Sequence, residues 1–319
     1  MPHILVSKKI ADPGIALLRA REGFTVDVLE NPGPGDFTGR LADADGVILF
    51  FQPLRAADIA GAPKLKVVSR HGVGYDSVDV AELDKRGIPL TITAGANAVA
   101  VAEHALSLLL AVARRSVSFD KDVRAGLWSR NASVPIFELY EKRALIVGAG
   151  RIGKAVAQRL RAFGMHVAAY DPALPAGSAV GDGIERVPDL DEALARADVV
   201  SLHMPLTPDT RNSIDPRRMK QGAILINTAR GGVIDEGGLI DALKSGHILG
   251  AGLDVFETEP LAADHPLCRV DNVVLSPHIS ALTDCGLRRM SLEAAQNVID
   301  CFDGTLDPGM VVNKQVLAT

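Results

Sequence analysis

The sequence is poor in cysteine and in aromatic residues, and its few cysteines argue against stabilisation by disulfides or by a bound metal. It has three cysteines, Cys268, Cys285 and Cys301, and one tryptophan among 319 residues. The cysteines form no C-x-x-C pair and have no histidines around them at metal-ligand spacing, so neither a disulfide framework nor a metal site is predicted. This cysteine usage is typical of a reducing compartment, and we expect a cytoplasmic protein.

A strong net charge and long apolar runs are also missing. The chain has 34 basic and 39 acidic residues and a net charge of −5, and this balance predicts no binding to nucleic acid. No uninterrupted apolar stretch approaches the roughly 20 residues of a membrane span, so no membrane partner is expected. Apolar residues still make up 47% of the 319 residues, enough for a buried core. At roughly 150 residues per domain, the length suggests two domains.

Short apolar runs alternate with helical patterns along the first hundred residues. This alternation is typical of parallel βαβ units with helices on both faces of a sheet. It predicts one α/β domain. The predicted strands are His3–Ser7, Thr25–Leu29, Gly46–Phe50, Lys66–Ser69 and Pro89–Thr91, and helices are predicted at Asp12–Ala20 and Val80–Lys85.

A long apolar segment, Ala98–Val117, follows and predicts a single buried helix. It contains Glu103 and His104, which by themselves indicate a polar cluster at a packed surface rather than a functional site. The next segment, Ser118–Tyr140, mixes polar and apolar residues and contains Trp128. We interpret this segment as an arm that packs on another subunit.

A second alternating series begins at Arg143 and predicts a complete doubly wound module. The fold class is therefore α/β, with two doubly wound parallel-sheet domains. The last periodic segment, Gly286–Phe302, predicts an amphipathic helix. The strands of the second series are Arg143–Val147, His166–Tyr170, Asp198–Leu202, Ala223–Asn227, Leu249–Leu253 and Asn272–Ser276, and its helices are Arg151–Phe163, Leu190–Arg196 and Glu236–Ser245.

The glycines Gly148, Gly150 and Gly153 match the G-x-G-x-x-G pattern of dinucleotide-binding proteins. The pattern alone is weak in a chain with 30 glycines, but here a predicted strand precedes it and a predicted helix follows. These glycines permit a tight turn, a close approach of backbone amides to a pyrophosphate, and packing of the helix on the sheet. The sequence therefore predicts a dinucleotide site.

Asp171 closes the second strand of this module, 23 residues after Gly148 and near the usual separation of about 20. Its carboxylate is placed to accept hydrogen bonds from the adenosine ribose, and its charge would repel a 2′-phosphate. The next three residues include no arginine that could bind such a phosphate. The sequence therefore predicts NAD as the cofactor, preferred over NADP.

Three polar motifs lie further along the chain. They begin at Asn227, Asp254 and Ser276 and read NTARGGVID, DVFETEP and SPHIS. Each begins at or just beyond the C-terminal end of a predicted strand, where open α/β sheets place their ligand crevice. We expect the arginine, a glutamate and the histidine of these motifs to converge near the cofactor.

With these motifs in place, the sequence resembles the D-isomer-specific 2-hydroxyacid dehydrogenase family along nearly its whole length. The family pattern is also seen in RHGVGYD from Arg70, in the stretch from Asn97 to His104, and in HMPLT from His203. The resemblance implies a Rossmann-type cofactor domain, residues 99–282, inserted into a discontinuous flavodoxin-like substrate domain, residues 1–98 and 283–319. It also implies a homodimer joined through the cofactor domain, with Ala98–Tyr140 as the candidate interface.

The implied activity is transfer of a hydride between NAD(H) and a small D-2-hydroxy acid or its 2-keto acid. His278 would be the acid that protonates the carbonyl oxygen and the base in the reverse direction. Glu259 would hold it, because a carboxylate beside an imidazole favours the charged form and fixes the tautomer. Arg230 would polarise the keto oxygen and clamp the substrate carboxylate.

The remaining roles follow from the same resemblance. Backbone amides of the turn containing Val73 and Gly74 would hold the substrate carboxylate, and Asn97 would help to close the site. Asp254 would position the nicotinamide amide. The rest of the cofactor site would be lined by Arg151, Ile152, His203, Met204, Thr228 and Ala229, together with Arg230 and His278.

The segment FFQP from Phe50 departs from the family pattern, because phosphoglycerate-using relatives often carry an Arg-Ser pair there. A phosphate-bearing substrate is therefore less expected. Phe50 and Phe51 fit an apolar wall for an unphosphorylated side chain and an ordinary core position about equally well. Arg70 and His71 stay open as contacts for a second acidic group on the substrate.

Two other functions stay open. One is a related dehydrogenase that oxidises formate or another small anion, although formate-oxidising relatives usually have a glutamine where Glu259 stands. The other is a binding protein in which NAD stabilises a dimer that recruits partners, like the corepressors that resemble this family. Those generally carry extra tails, and we expect none here because neither end of the sequence is of low complexity.

Overall fold

The computed structural model describes residues 1–30, 32–33, 35–128, 136–175, 178–181 and 183–318. The chain divides into two compact units. Unit 1 comprises Met1–Asn97 and Ala281–Thr319, and unit 2 comprises Ala98–Ser280. Each unit is built on a parallel sheet, which confirms the predicted fold class. Within the described ranges, no helix is both long and apolar enough to cross a membrane.

In the described part of unit 1, five parallel strands form a sheet in the order β2-β1-β3-β4-β5, the order of flavodoxin-like folds. The central strands β3 and β4 are buried along their whole length, as expected when helices cover both faces of a parallel sheet. Each predicted strand is confirmed to within one residue at either end. The strands are β1 His3–Val6, β2 Thr25–Val28, β3 Gly46–Leu49, β4 Val67–Arg70 and β5 Leu90–Ile92.

The C-terminal helix α10, Asp284–Asp303, belongs to unit 1 and packs against α1, Asp12–Ala20. A Cβ atom at Gly14 would lie 2.4 Å from the carbonyl oxygen of Ser291, so only glycine lets the two helix backbones come this close. The Ser291 hydroxyl also donates to the Ala11 carbonyl at 2.7 Å. The other helices described in unit 1 are α2 Asp36–Leu41, α3 Ala56–Ala60 and α4 Val80–Lys85.

The sheet described in unit 2 has seven parallel strands in the order β12-β11-β10-β9-β6-β7-β8. Read from β8, the first six strands follow the Rossmann order, and β12 extends the sheet beyond them. The strands are β6 Arg143–Val147, β7 His166–Tyr170, β8 Ile184–Arg186, β9 Val199–Leu202, β10 Ile224–Asn227, β11 Gly250–Leu253 and β12 Val273–Leu275. The helices described are α5 Ala98–Ala113, α6 Ser116–Arg124, α7 Arg151–Ala162, α8 Leu190–Arg196 and α9 Glu236–Lys244.

The buried helix α5 packs on this sheet where β11 is made of small residues. A Cβ atom at Gly250 would lie 2.8 Å from Cγ1 of Val112, and one at Gly252 would lie 2.8 Å from Cβ of Leu108. The sequence GAGL of β11 therefore leaves room for the helix, and α5 buries most of its apolar side chains against the strands. These contacts lay α5 along β11, with Val112 against its first residue and Leu108 against its third.

The prediction of one helix over Ala98–Val117 was wrong. α5 ends at Ala113, and Arg115 adopts a left-handed φ of 52° before α6 begins. α6 buries none of its residues, so the burial that stabilises α5 ends where the chain changes direction. Trp128, in the predicted subunit-contacting arm, is largely exposed, and residues 129–135 of that arm lie outside the described residues.

Candidate active site

The predicted dinucleotide turn joins β6 to α7, and two of its glycines are required by close contacts. Gly148 has a φ of 96°, and a Cβ atom there would lie 2.7 Å from the carbonyl group of His203. At Gly153 a Cβ atom would lie 2.0 Å from the carbonyl oxygen of Gly148. At Gly150 no atom of the described residues lies within 4 Å of the position of a Cβ. The backbone at Gly150 is therefore open to a ligand.

The first turn of α7 begins at Arg151 without a side-chain cap on its amides. A helix N-terminus of this kind attracts phosphate groups, because its amides and dipole both favour negative charge. Asp171 lies beside this turn, where its carboxylate accepts from the amide of Ala149 at 2.8 Å and from that of Ala173 at 2.9 Å. Asp171 thus shapes the glycine turn in addition to the ribose contact that the sequence predicts.

Two buried polar atoms that follow the strands β9 and β10 have no partner in the described part of the chain. They are Nδ1 of His203 and Oγ1 of Thr228. Burial lowers the pKa of His203 to about 3, so the ring is neutral at pH 7, and its Nε2 lies 2.8 Å from the Ser201 hydroxyl. Unpaired buried polar atoms are costly unless a ligand satisfies them. Together with the open backbone at Gly150, they fit a bound dinucleotide.

The Arg230 turn follows β10 and is held by its own hydrogen bonds. The Asn227 side chain donates to the Arg230 carbonyl at 2.8 Å and accepts from the Ala229 amide at 3.0 Å. A Cβ atom at Gly231 would lie 1.9 Å from the carbonyl carbon of Phe256. The glycine therefore lets the Arg230 turn lie directly against the segment that leads to Glu259.

Glu259 and His278 form a close pair in unit 2. Nδ1 of His278 lies 2.7 Å from Oε2 of Glu259, and the side chains are 35% and 36% exposed. Partial burial alone would raise the pKa of Glu259, but hydrogen bonds from His278 and the Phe256 amide, with the charges of His278 and Arg230, hold the pKa below its usual value. The glutamate is therefore an anion at neutral pH and fixes one ring nitrogen of His278.

Asp254 lies at the end of β11, and its carboxylate is completely buried. Its oxygens accept from the Ser276 hydroxyl at 2.6 Å and from the amides of Ile279 and Ser280 at 3.0 and 2.9 Å. Burial would raise the pKa of Asp254, but hydrogen bonds from His104, Ser276 and these amides lower it to about 2. The carboxylate faces the chain's own donors, and its predicted contact with the nicotinamide amide stays a prediction.

In unit 1 the predicted carboxylate-binding turn follows β4. The Arg70 guanidinium is buried beneath it and donates to the carbonyls of Gly74, Leu49 and His71 at 2.8, 3.2 and 2.8 Å. Of the described groups, none accepts a hydrogen bond from the amides of Val73 or Gly74. The turn thus directs the carbonyls of His71 and Gly74 towards Arg70. It leaves the amides of Val73 and Gly74 for a ligand.

Other predicted residues of unit 1 are buried without hydrogen-bond partners among the described residues. Both ring nitrogens of His71 and Oδ1 of Asn97 are unpaired. Burial and the charge of Arg70 lower the pKa of His71 to about 4, so His71 is neutral at pH 7. The ring of Phe50 packs on His71 with centroids 4.9 Å apart, whereas Phe51 is 49% exposed. Phe51 is therefore not an ordinary core residue.

Two features of this site were not predicted from the sequence. The close approach at Gly231 was missed, although the pair Gly231-Gly232 in the arginine motif is a signal for tight backbone packing. The hydrogen bond between His104 Nε2 and the Ser276 hydroxyl, 2.8 Å long, joins two recognised motifs. These residues are 172 positions apart, and only the packing of α5 on the sheet brings them together.

Comparison with known proteins agrees with this fold. The family model for the D-isomer specific 2-hydroxyacid dehydrogenase NAD binding domain matches residues 106–280. A glyoxylate reductase from Korarchaeum cryptofilum (strain OPF8) is 40% identical over 99% of this chain and 97% of its own. A D-3-phosphoglycerate dehydrogenase from Mycobacterium leprae (strain TN) is 41% identical over 99% of this chain, which spans only 61% of that longer protein.

Solved structures give the same result. The TT0316 protein from Thermus thermophilus superimposes with a TM-score of 0.87 at 37% identity, covering 97% of this chain and 99% of its own. An acyclic imino acid reductase solved with NADPH and D-Arg has a TM-score of 0.87 at 28% identity, with coverage of 97% and 99%.

The fold and the matches define an NAD-dependent oxidoreductase that acts on 2-hydroxy and 2-keto acids. The chain belongs to the D-isomer specific 2-hydroxyacid dehydrogenase family. It is therefore an enzyme that acts on CH–OH donors, as the sequence predicts.

Proposed function

We propose that this enzyme reduces a small, unphosphorylated 2-keto acid to the D-2-hydroxy acid, with His278 and Glu259 as its acid–base pair. The observation that carries the proposal is the 2.7 Å contact between Nδ1 of His278 and Oε2 of Glu259. An imidazole held by a carboxylate in this way is suited to act as a general acid and base. Arg230, whose turn packs on the segment leading to Glu259, supplies a fixed positive charge to the same group.

The proposed reaction forms one C–H bond and one O–H bond on the substrate. When bound, the nicotinamide supplies the hydride that adds to the C2 carbon. Because Nδ1 of His278 is engaged by Glu259, the proton that reaches the developing alkoxide comes from Nε2. His278 then accepts a proton from solvent, and in the oxidative direction Nε2 takes the proton from the hydroxyl group. Glu259 stabilises the imidazolium in both directions.

Arg230 and the amides of Val73 and Gly74 have the proposed role of binding the substrate carboxylate. A guanidinium presents two parallel N–H groups to a carboxylate, a geometry that lysine does not reproduce. Two backbone amides without partners among the described groups supply further donors. Asn97, whose buried Oδ1 has no hydrogen-bond partner among the described residues, is the proposed residue that helps to close the site.

The substrate class is proposed from the residues that follow β3. Phe50 and Phe51 stand where an Arg-Ser pair is expected for a phosphate, and Phe51 is 49% exposed. The Arg70 guanidinium donates to three backbone carbonyls, which leaves it poorly placed to balance a second acidic group. The 40% identical relative is a glyoxylate reductase. Small unphosphorylated keto acids such as glyoxylate and hydroxypyruvate are therefore the preferred substrates.

The cofactor preference and the assembly are also proposals. Asp171 favours NAD because its carboxylate would repel a 2′-phosphate. The remaining predicted contacts, from Arg151, Ile152, Met204 and Ala229, complete the proposed cofactor site. A homodimer joined through unit 2 is supported by exposed apolar side chains on and near α6, including Val117, which is 59% exposed, and Val123, which is 54% exposed.

The test is nicotinamide absorbance at 340 nm during incubation of the purified enzyme with NADH and a panel of 2-keto acids. The panel contains glyoxylate, hydroxypyruvate, pyruvate, phenylpyruvate, 2-oxoglutarate and phosphohydroxypyruvate. We expect the highest kcat/KM with a small unphosphorylated acid. A preference for phosphohydroxypyruvate or 2-oxoglutarate would contradict the substrate class. Binding of NADH without turnover of any member would contradict the activity and favour the binding-protein alternative.

A further inference from the structure

A chain of hydrogen bonds in unit 2 leads from α5 to the segment that carries His278. Nε2 of His104 lies 2.8 Å from the Ser276 hydroxyl, which lies 2.6 Å from Oδ1 of Asp254. Because an ionised carboxylate only accepts, the Ser276 hydroxyl donates to Asp254. The hydroxyl oxygen therefore accepts from the N–H of His104, and each bond strengthens the next in this buried environment.

Asp254 in turn binds three successive amides of the same segment. The amide of His278 donates to the Asp254 carbonyl at 2.8 Å. The amides of Ile279 and Ser280 donate to the two carboxylate oxygens at 3.0 and 2.9 Å. The backbone on both sides of the His278 side chain is therefore fixed by one residue, Asp254.

His278 needs this support because its backbone is in the left-handed region. Its φ is 54°, a conformation that costs an L-residue roughly 1–2 kcal/mol. Strain of this kind persists only where the surroundings hold it. If the segment relaxed to an ordinary backbone conformation, the imidazole would move away from Oε2 of Glu259, which lies 2.7 Å from Nδ1.

We propose that His104 is a positioning residue for the acid–base step, acting through Ser276 and Asp254 to hold His278 against Glu259. This rests on the proposed function of His278. His104 is suited to the role because α5 is anchored on β10, β11 and β12 and its imidazole is partly shielded, with 23% of the side chain exposed. It donates to the Ser276 hydroxyl, which donates to Oδ1 of Asp254, and its Nε2 also lies 3.5 Å from that oxygen.

The test measures steady-state kinetics of the NADH-dependent reductase in variants of the full-length enzyme. His104→Leu removes the donor and is expected to lower kcat about tenfold, since a small displacement of a catalytic group costs this much or more. The KM for the keto acid and the NADH dissociation constant, from fluorescence, stay within about twofold. His104→Gln keeps an N–H donor near the position of Nε2 and restores most of kcat.

Substitutions of Ser276 provide a second test of the same hydrogen-bond pathway. Ser276→Ala is expected to lower kcat about tenfold and Ser276→Thr to preserve it, because threonine keeps the hydroxyl. The double variant His104→Leu, Ser276→Ala is expected to be no slower than the slower single variant, because both break one pathway. If His104→Leu does not fold, the Ser276 pair decides the question alone.

His247 gives a matched control for a general loss of packing. It is another partly buried histidine of unit 2, and its Nε2 lies 2.8 Å from the Met219 carbonyl. His247→Leu is expected to leave kcat unchanged. A kcat of His104→Leu equal to that of His247→Leu, or additive effects in the double variant, would overturn the positioning role.

His278→Gln separates failure of this inference from failure of the proposed function. If His278→Gln loses turnover but His104→Leu and Ser276→Ala do not, only the positioning role is wrong. If His278→Gln keeps normal turnover, the acid–base assignment itself is wrong and the positioning role is overturned with it.

Discussion

The two units offer different chemistry at the ends of their parallel strands. In unit 2 the strands β10, β11 and β12 are followed by polar side chains, of which Glu259 and His278 form a pair at 2.7 Å. In unit 1 the strand β4 is followed by a turn whose guanidinium, Arg70, donates to carbonyls. Unit 1 therefore offers backbone amides, and unit 2 offers an imidazole paired with a carboxylate.

The same contrast separates two histidines. His278 of unit 2 is about one-third exposed and paired with a carboxylate. His71 of unit 1 is 4% exposed, and neither ring nitrogen has a partner among the described residues. A paired and accessible imidazole suits proton transfer, whereas a buried and neutral one suits packing. Residue type alone therefore does not separate a histidine suited to proton transfer from one suited to packing.

The largest effect is expected from removing the imidazole of His278 in unit 2. His278→Gln keeps the polar shape but loses the proton donor, and it should lower kcat by about 10²-fold or more. The NADH dissociation constant, measured by fluorescence, should change little, because the loss falls on the transition state. Normal turnover in this variant would contradict the proposed role of His278 as the acid and base, and the two histidines would then not differ in function.

The buried His71 of unit 1 should affect the free energy of unfolding rather than the catalytic rate. The pKa of His71 is lowered to about 4 from 6.5, so above about pH 6.5 it is neutral in the folded and unfolded states. Between pH 6.5 and about 4 only the unfolded chain binds the proton, and the free energy of unfolding therefore falls as the pH falls. At pH 5 the loss should be on the order of 2 kcal/mol relative to pH 7.

Urea unfolding of the wild type and of His71→Phe at pH 8, 7 and 5 measures this loss. The difference in the free energy of unfolding between the wild type and the variant should be the same at pH 8 and pH 7. At pH 5 the wild type should lose stability relative to the variant. A constant difference across the three pH values would mean that His71 is charged or accessible in the folded enzyme.

Much of the fold and of the site was predictable, because parallel strands read as apolar runs and each motif begins where a strand ends. The features that were not predicted depend on contacts between residues that are far apart in the sequence. The helices α2 and α3 and the strand β8 were missed, and β8, with the sequence IER, has only one apolar residue. The helix break at Arg115 occurs where burial stops, and burial is a property of the folded chain.

The site shows the same limit. His278 and Glu259 come from neighbouring strand ends, so the motifs alone predicted that they meet. The part of Arg70 in shaping the turn and the bond from His104 to Ser276 depend on side-chain directions that a one-dimensional pattern does not contain.

A smaller effect is expected from straining the backbone of the unit 1 turn. Gly72 has a φ of 141°, so Gly72→Ala should displace the amides that follow it without a clash. The KM for the keto acid should rise about tenfold, about 1.4 kcal/mol, with kcat within about threefold. Gly87→Ala is the control, because Gly87 also has a positive φ, 64°, with nothing within 4 Å of a Cβ. An equal rise of KM in both variants would mean that the turn contributes no specific binding.

The smallest effect is expected where unit 2 itself uses its backbone, at the glycine turn of α7. Asp171→Asn keeps one acceptor oxygen for the Ala149 amide, which Asp171 binds at 2.8 Å, and loses the acceptor for the Ala173 amide. It also removes the charge that would repel a 2′-phosphate. The ratio of kcat/KM for NADH to that for NADPH should fall about fivefold, roughly 1 kcal/mol, with the NADH dissociation constant within about threefold. An unchanged ratio would show that the ribose is recognised elsewhere. A large loss of NADH binding would instead show that Asp171 acts chiefly by shaping the turn, which would make this end of unit 2 resemble the backbone-dominated site of unit 1.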